Sequence, residues 1–198
     1  WIEILDLRLE TWRLSKKGDL YQVKEPCKIA IPIRDTSGSD LKNIRLYHPG
    51  AKQFKIISFG KTTGSSELFP AYLYDKQTVL LTEGESDTIC ALSHGFNAIT
   101  QTSKLIKWPA DHLKPFKGRD VVIAYDADKP GQKYARAAAE SLTGVAKSVR
   151  MLLWPAFMGI DESGAIPDKH GQDLTDFFVR HQKTAADPEQ PGKEADHA

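Results

Sequence analysis

Residues 121–131 read VVIAYDADKPG, an apolar run that ends in two acidic residues. An apolar run without alternation is typical of a strand that is buried on both faces, as in a parallel sheet. Open α/β sheets bind their ligands at the carboxyl ends of such strands. Asp126 and Asp128 therefore fall where a ligand site is expected. Two residues apart on an extended chain, they point the same way and lie about 6.5 Å apart.

The segments around this run alternate between strand-like and helix-like patterns. The further strands are predicted at 78–84 (TVLLTEG), 97–100 (NAIT) and 148–154 (SVRMLLW). Helices are predicted at 86–95, 130–144 and 173–182, with a short helical or turn segment at 108–116. Gly95 and Gly144 are expected to end the first two of these helices. Asp173 suits the N-cap position of the last one. The alternation predicts an α/β fold with a parallel sheet of about four strands flanked by helices.

The chain divides into three parts by composition. Residues 1–74 are strand-rich, and the two runs on either side of the turn TSGSD (residues 36–40) predict a hairpin. Residues 75–182 carry the strand-helix alternation. Residues 183–198 combine proline, glycine and charge without large apolar side chains, a composition typical of a disordered linker or tail.

The overall composition excludes several classes of protein. The formal net charge is +1 over 198 residues, which argues against a general nucleic-acid coat but allows a local basic groove. No apolar run approaches the roughly 18 residues that span a bilayer, so a cytoplasmic protein without membrane contact is expected. Cys27 and Cys90 are too few for a zinc site and are expected to be reduced thiols. Because the first residue is Trp1, the chain is expected to be a piece of a longer protein.

Acidic residues recur at positions that the predicted sheet brings together. Glu83 ends one strand, Asp126 and Asp128 end another, and Asp173 and Asp176 open the last helix. Two carboxylates about 4 Å apart repel by on the order of 4 kcal/mol at an effective dielectric near 20, so a cluster needs protons, cations or a metal. Carboxylate oxygens suit Mg²⁺ or Mn²⁺, and two such ions can clamp an in-line phosphoryl displacement. Taken singly, an aspartate after a strand is usually a turn residue or a helix cap, so the hypothesis depends on the combination of acids.

These motifs together resemble the Toprim domain, which bacterial and phage primases share with type IA and type II topoisomerases and some nucleases. The matching motifs are Glu83-Gly84 followed by Asp87, Asp126-Ala127-Asp128 followed by Gly131, and GQDLTDFF at 171–178. They occur in the family's order and cover roughly residues 77–180. The resemblance implies Glu83, Asp126 and Asp128 as catalytic residues. It implies a set of metal ligands that comprises Glu83, Asp87, Asp126, Asp128, Asp173 and Asp176.

The segment upstream resembles the region that precedes Toprim in bacterial-type primases, with a strand of the form IxxPIxD at residues 29–35. That resemblance implies a basic wall for template and nucleotide. Its candidates are Arg34, Arg45, Lys55, Lys61, Lys129 and Lys133. The segment 54–64 (FKIISFGKTTG) also contains the Gly-Lys-Thr of a phosphate-binding P-loop, but Lys55 stands where that loop requires its first glycine.

The resulting hypothesis is the catalytic core of a DNA primase, which would join ribonucleoside triphosphates on single-stranded DNA with Mg²⁺ or Mn²⁺. The tail would suit a connection to a replicative helicase domain or subunit. A Toprim nuclease or a topoisomerase fragment is the alternative enzyme, although no tyrosine lies in a context typical of a topoisomerase nucleophile. A Toprim module that binds nucleic acid without turnover is the alternative outside enzymes.

Overall fold

The computed structural model describes residues 8–10, 12–14, 20–22, 28–48, 56–58, 66–72 and 76–181. Several predictions fall outside these ranges. They concern Cys27, Lys55, Lys61, the Gly-Lys-Thr segment and the tail at 183–198.

Strands and helices alternate along the second half of the described chain, as the sequence predicts. The strands are β1 (Arg8–Glu10), β2 (Trp12–Leu14), β3 (Leu20–Gln22), β4 (Lys28–Arg34), β5 (Leu41–Tyr47), β6 (Ile56–Ser58), β7 (Leu68–Phe69), β8 (Thr78–Thr82), β9 (Ala98–Gln101), β10 (Asp120–Ala124) and β11 (Ser148–Met151). The α-helices are α1 (Glu85–Ser93), α2 (Ala110–Leu113), α3 (Lys129–Leu142) and α4 (Leu174–His181). Short 3₁₀ turns cover Lys114–Phe116 and Ala156–Met158.

The central sheet has five strands in the order β11-β10-β8-β9-β7. The first four strands in this order are parallel, which confirms the predicted parallel sheet. The fifth strand, β7, runs antiparallel to β9 and forms one edge of the sheet. Two residues are too few to produce a periodic pattern, so the sequence does not predict this edge strand. β7 comes from the part of the chain before residue 75.

The register of the two central strands determines where their acidic ends lie. Thr82, the last residue of β8, is paired with Ala124, the last residue of β10. The residues that follow both strands therefore emerge side by side at one edge of the sheet. This register carries Glu83 and Asp126 to the same place, as the sequence predicts for adjacent parallel strands.

Helices cover both faces of the central sheet, and the sheet separates the apolar core into two clusters. Alternate residues of β8 point in opposite directions, so that Val79 and Leu81 pack with Phe116 and Leu142 on the face covered by α3. Tyr125 is only 6% exposed in the same cluster, as expected for strand core. The opposite cluster packs residues of α1 and α4 against β4. Its members include Ile31, Ile33, Ala91, Leu92, Leu174 and Phe178.

The strand-rich part upstream forms an antiparallel sheet in the order β1-β4-β5-β6, beside the separate hairpin β2-β3. The predicted hairpin of β4 and β5 is confirmed. Its turn is held by Asp35, whose side chain accepts hydrogen bonds from the hydroxyl of Ser37 at 2.7 Å and from the N–H of Ser39 at 3.1 Å. Gly38 has the left-handed φ of +77° that this turn requires.

No helix in the described part of the chain is both long enough and apolar enough to cross a membrane.

Candidate active site

An open cavity of about 520 Å³ lies at the carboxyl ends of β8 and β10. Four of the predicted acidic residues line it. They are Glu83, Asp87, Asp126 and Asp173. The first turn of α1 supplies Asp87 and the residue that precedes α4 supplies Asp173, so two strand ends and two helix starts converge on one volume. The structure thus brings together carboxylates that lie up to 90 residues apart in the sequence.

Glu83 is anchored directly to the next strand. Its carboxylate Oε2 accepts a hydrogen bond from the backbone N–H of Asp126 at 3.0 Å. Gly131 makes this approach possible, because a Cβ there would lie 2.5 Å from the carbonyl oxygen of Asp126 and 2.8 Å from Oε2 of Glu83. The glycine after the Asp-x-Asp motif is therefore required by the close packing of the α3 N-terminus against the site.

We expect Gly131→Ala to lower the free energy of unfolding by about 1–3 kcal/mol, because the added methyl group overlaps backbone and carboxylate atoms. Chemical denaturation measures the effect. Gly84→Ala is the matched control, since a Cβ at Gly84 meets nothing closer than 3.7 Å, and its loss should stay below about 1 kcal/mol. Equal losses in the two variants would contradict the close approach at Gly131.

Asp87 connects α1 to α4. Its Oδ1 accepts hydrogen bonds from the hydroxyl of Thr175 at 2.7 Å and from the N–H of Thr175 at 3.1 Å. Asp173 caps the same helix, accepting a hydrogen bond from the N–H of Asp176 at 2.7 Å, which confirms it as N-cap. Thr175 is a site residue that the sequence reasoning missed, although it lies inside the GQDLTDFF motif.

Burial and mutual repulsion raise the pKa values of two cavity carboxyls. The pKa of Asp126 rises to about 9, first because of burial and then because of the charges of Glu83, Asp87, Asp173 and Asp128. The pKa of Asp87 rises to about 7, first because of burial and then because of the charge of Asp173, against the hydrogen bonds from Thr175. The cluster therefore holds protons at neutral pH until a cation replaces them.

Two predicted acids lie outside the cavity lining. Asp128 is the N-cap of α3, and its carboxylate accepts hydrogen bonds from the N–H of Gly131 at 2.8 Å and of Gly171 at 3.2 Å. The carboxylate of Asp176 accepts a hydrogen bond from the backbone N–H of Asp173, the N-cap of α4, and it forms an ion pair with Arg180 at 3.1 Å. These contacts fasten the third acidic motif to the second one. The assignment of both carboxylates as metal ligands stays a prediction.

The predicted basic residues are spread over three locations. Arg45 lines the cavity, where its Nε lies 2.9 Å from the carboxylate of Glu85. Arg34 lies at the β4–β5 turn and donates to the carbonyl of Ser39 at 3.3 Å. On α3, Lys129 pairs with Asp168 at 2.5 Å and Lys133 is exposed.

Glu85 is a further buried acid of the cavity lining. It is 3% exposed and joins the first turn of α1 to β5 through Arg45. Burial raises the pKa of Glu85, against the favourable charge of Arg45. This contact links the upstream sheet to the cavity, and it depends on a packing that the sequence pattern does not encode.

Lys104 is a further cavity residue that the sequence reasoning missed. Its ammonium group forms an ion pair with Oε1 of Glu83 and lies 5.5 Å from the ring centre of Tyr134. The feature of the sequence that points to Lys104 is its position three residues after β9 (Ala98–Gln101), at the carboxyl end of a parallel strand. β9 lies next to β8, so the loop after β9 reaches the residue after β8.

Residues 80–163 match the family model described as Toprim-like. This segment is therefore similar to Toprim-like domains. The Toprim segment contains Glu83, Asp87, Asp126 and Asp128, while the third acidic motif lies beyond it. No curated protein sequence matches the chain.

Solved structures with a similar fold include primase catalytic cores. The zinc-binding and RNA polymerase domains of the Aquifex aeolicus primase match with a TM-score of 0.57 at 18% identity, over 88% of this chain and 42% of that one. The DnaG primase catalytic domain bound to ssDNA matches with a TM-score of 0.54 at 19% identity, over 88% and 55%. The primase fragment of the bacteriophage T7 primase-helicase matches with a TM-score of 0.56 at 15% identity, over 92% and 65%. At these identities the matches show a shared primase-like Toprim fold. The chain spans roughly half the length of these proteins.

The chemistry of the Toprim cavity fits a hard divalent cation. No three histidine, cysteine or acidic side chains within the described ranges already converge at ion-binding distances. Glu83, Asp87 and Asp173 instead accept hydrogen bonds from backbone or side-chain donors, and the ammonium group of Lys104 pairs with Glu83. The carboxylate of Asp126 has neither a hydrogen bond nor an ion pair with any residue that the structure describes. Mg²⁺ and Mn²⁺ prefer oxygen ligands, and Mg²⁺ is usually held by one or two carboxylates together with substrate phosphates.

A larger apolar groove of about 690 Å³ lies on the sheet face that α4 covers. Trp154, Phe177 and Phe178 are among the residues that line it, and its described lining contains no carboxylate. It offers no carboxylate that could hold a metal, and its lysine, Lys76, donates to the carbonyl oxygen of Gly95 at 2.7 Å. The smaller acidic cavity is therefore the candidate active site.

Proposed function

We propose that the protein is the catalytic core of a DNA primase, which synthesises RNA primers on single-stranded DNA. One observation carries the proposal. Glu83, Asp87, Asp126 and Asp173 line a single cavity at the carboxyl ends of two parallel strands, in a fold shared with primase cores. Carboxylates so placed suit metal-assisted phosphoryl chemistry better than contact with DNA alone, because they repel phosphate.

In the proposed reaction the 3′-hydroxyl oxygen of the primer attacks the α-phosphorus of a ribonucleoside triphosphate. The new O–P bond forms as the bond to pyrophosphate breaks, and the hydroxyl proton leaves. A bound Mg²⁺ or Mn²⁺ would bind the triphosphate and offset the charge on its oxygens. Asp126 would be its main ligand, with Asp87 and Asp173 beside it. Glu83 would either bind the metal ion or assist the transfer of the hydroxyl proton.

The remaining acids keep their predicted roles within the proposal. Asp128 would take part as a ligand only after exchanging its contacts with Gly131 and Gly171. Asp176 would contribute to the ligand set at the start of α4. In the conformation described, both serve to hold the acidic motifs in place.

The template and nucleotide would be held through their phosphates. Arg34, Arg45, Lys129 and Lys133, together with Lys55 and Lys61, are the proposed contacts. Contacts of this kind give a salt-sensitive grip with little sequence preference. Within the described ranges Arg45 contacts Glu85 and Lys129 contacts Asp168. Phosphate binding would compete with those pairs.

The surroundings of the core are also part of the proposal. We assign residues 1–74 to a basic strand-rich subdomain, although β7 of this part joins the central sheet, residues 75–182 to the catalytic domain and residues 183–198 to a linker. A helicase domain or subunit is the proposed partner, by analogy with the T7 primase-helicase. The proposed setting is the cytoplasm, during replication.

Primer synthesis with labelled ribonucleotides on single-stranded DNA tests the function. We expect short RNA products in Mg²⁺ or Mn²⁺ and none after chelation with EDTA, because the metal offsets the charge of the reacting phosphates. Loss of the DNA strand without RNA products would favour the nuclease alternative. Tight DNA binding with neither product would favour a binding module and would contradict the primase proposal.

A further inference from the structure

A further cavity of about 420 Å³ lies between α3 and residues 160–166, and it is termed the α3 cavity below. Lys129, Gln132 and Arg136 line it from the helix. Three and seven residues apart, they share one face of α3, and the two cations start about 10.5 Å apart along its axis. The described lining contains no acidic side chain. One wall of the α3 cavity is therefore cationic.

The wall opposite α3 is apolar and is held in place by its own turn. Ile160 and Ile166 line the cavity on either side of this turn. Asp161 fixes the turn, because its Oδ1 accepts hydrogen bonds from the N–H of Ser163 at 2.9 Å and of Ala165 at 2.8 Å. The cavity is thus formed before any ligand binds.

Trp154 supplies a flat ring at the same cavity. Its indole N–H donates to the carbonyl oxygen of Tyr125 at 2.7 Å, which fixes the orientation of the ring. Leu153 lines the cavity beside it and is 88% exposed. Surfaces that bind single-stranded nucleic acid combine these features, because bases stack on aromatic rings while cations contact the phosphates.

Both cations of the α3 cavity are accessible to a phosphate. Arg136 is exposed and has neither a hydrogen bond nor an ion pair with any residue that the structure describes. Lys129 pairs with Asp168 at 2.5 Å, but both side chains are exposed. Water screens such a pair, so a phosphate can replace the carboxylate at little cost.

The position of the cavity favours nucleic acid over an acidic peptide as its ligand. Gln132 lines the α3 cavity, and its side-chain amide donates to the backbone carbonyl of Asp126 at 3.2 Å. Asp126 itself lines the acidic cavity. A strand held at the acidic cavity can therefore continue along the cationic face of α3.

We propose that the α3 cavity binds single-stranded nucleic acid, with a base against the ring of Trp154 and neighbouring phosphates at Lys129 and Arg136. The inference rests on the primase function proposed above and extends the path of the strand beyond the acidic cavity. Arg136 and Trp154 bind the strand at a distance from the reacting atoms, so neither takes part in the chemistry.

The first test measures the phosphate contact, by fluorescence anisotropy of a short labelled oligodeoxythymidylate in EDTA over a range of salt concentrations. Each phosphate contact with a single strand contributes about 0.7 to the slope of log K against log salt concentration. Arg136→Gln should therefore reduce the slope by about 0.7 and weaken binding about fivefold at about 0.1 M salt. Lys117→Gln is the matched control, since it removes the charge of an exposed lysine outside the cavity. Equal effects of the two substitutions would overturn the proposal.

The second test measures the base contact, by comparing the same oligomer with one that has abasic sugars throughout. Trp154→Leu should weaken binding of the thymidylate oligomer by about fivefold or more, the scale of one lost stacking contact, and leave the abasic oligomer unchanged. Ala165→Leu, which fills part of the cavity from an exposed position, should do the same and serves if circular dichroism shows Trp154→Leu to be unfolded. Unchanged thymidylate binding in the folded variants would overturn the proposal.

Two other ligands give distinct outcomes in the same assay. Binding of a labelled peptide of alternating glutamate and leucine that depends on Arg136, without binding of the oligomer, would assign the cavity to a protein partner and overturn the proposal. Free thymidine triphosphate bound as tightly as the oligomer would make the cavity a mononucleotide site and would also overturn it.

These measurements separate the α3 cavity from the primase proposal. Binding in EDTA needs neither metal nor turnover, so a chain that makes no primer can still hold a strand through Arg136. Conversely, primer synthesis by a protein whose DNA affinity does not depend on Arg136 would support the primase and reject the α3 cavity as a strand site.

Discussion

Asp126→Asn is expected to reduce metal-dependent primer synthesis by about a hundredfold or more, the scale of losing one charge-stabilising group at a reacting centre. Asp126 lines the cavity, and no residue within the described ranges neutralises its carboxylate. Asparagine keeps the shape of the side chain but is a much poorer ligand for Mg²⁺. The assay is extension of labelled ribonucleotides on single-stranded DNA, at saturating metal.

The same variant should remain folded, which separates a lost ligand from a lost structure. Because the pKa of Asp126 is raised to about 9, the metal-free protein already holds a neutral side chain there at pH 7, much as asparagine would provide. Asp120→Asn is the matched control, since Asp120 begins the same strand at the end away from the cavity. Activity of Asp126→Asn above half that of the control would contradict a ligand role for Asp126.

The second large effect is the dependence of metal binding on pH. Asp87 and Asp126 have an ordinary pKa of 3.8 in the unfolded chain and values of about 7 and about 9 in the folded protein. The stabilisation from the neutral carboxyls is fully present below about pH 4. It is lost as the pH rises through about 7 for Asp87 and about 9 for Asp126. Each proton changes the free energy of unfolding by at most about 1.4 kcal/mol per pH unit.

A divalent cation should reverse this loss, because it binds the ionised carboxylates and displaces their protons. We therefore expect the melting temperature of the metal-free protein to fall between pH 5 and pH 9. We also expect added Mg²⁺ or Mn²⁺ to raise it more at pH 8.5 than at pH 6. Differential scanning fluorimetry over this range measures both effects. In Asp126→Asn the melting temperature should depend less on pH, and added metal should raise it less. An equal rise with metal at both pH values would show that the raised pKa values do not govern binding.

Much of the fold can be predicted from local patterns. The apolar run at 121–125 and the alternation around it predict the parallel strands, and the glycines at 95 and 144 mark helix ends with left-handed φ values of +82° and +81°. Glu83 and Asp126 meet because their strands, β8 and β10, are parallel neighbours, and the sequence predicts this meeting only on the condition that the two strands are adjacent. Such features depend on side-chain periodicity and on backbone geometry, which are properties of the sequence itself.

Other features depend on packing between distant segments, and the sequence does not reveal them. Asp128 has the same motif position whether its carboxylate faces a metal or caps α3, and only the approach of Gly171 distinguishes the two. Lys104 reaches Glu83 because β9 lies beside β8, an order that the motifs leave open. Arg45 contacts Glu85 because the upstream sheet packs against α1.

The most direct test of the account is anomalous diffraction from crystals grown with Mn²⁺ and a non-hydrolysable ribonucleoside triphosphate. We expect a manganese peak inside the acidic cavity, within about 2.0–2.2 Å of a carboxylate oxygen of Asp126, with triphosphate oxygens on the same ion. A fully bound nucleotide whose manganese lies outside this cavity, or a cavity without manganese at saturating concentration, would contradict the proposed metal site.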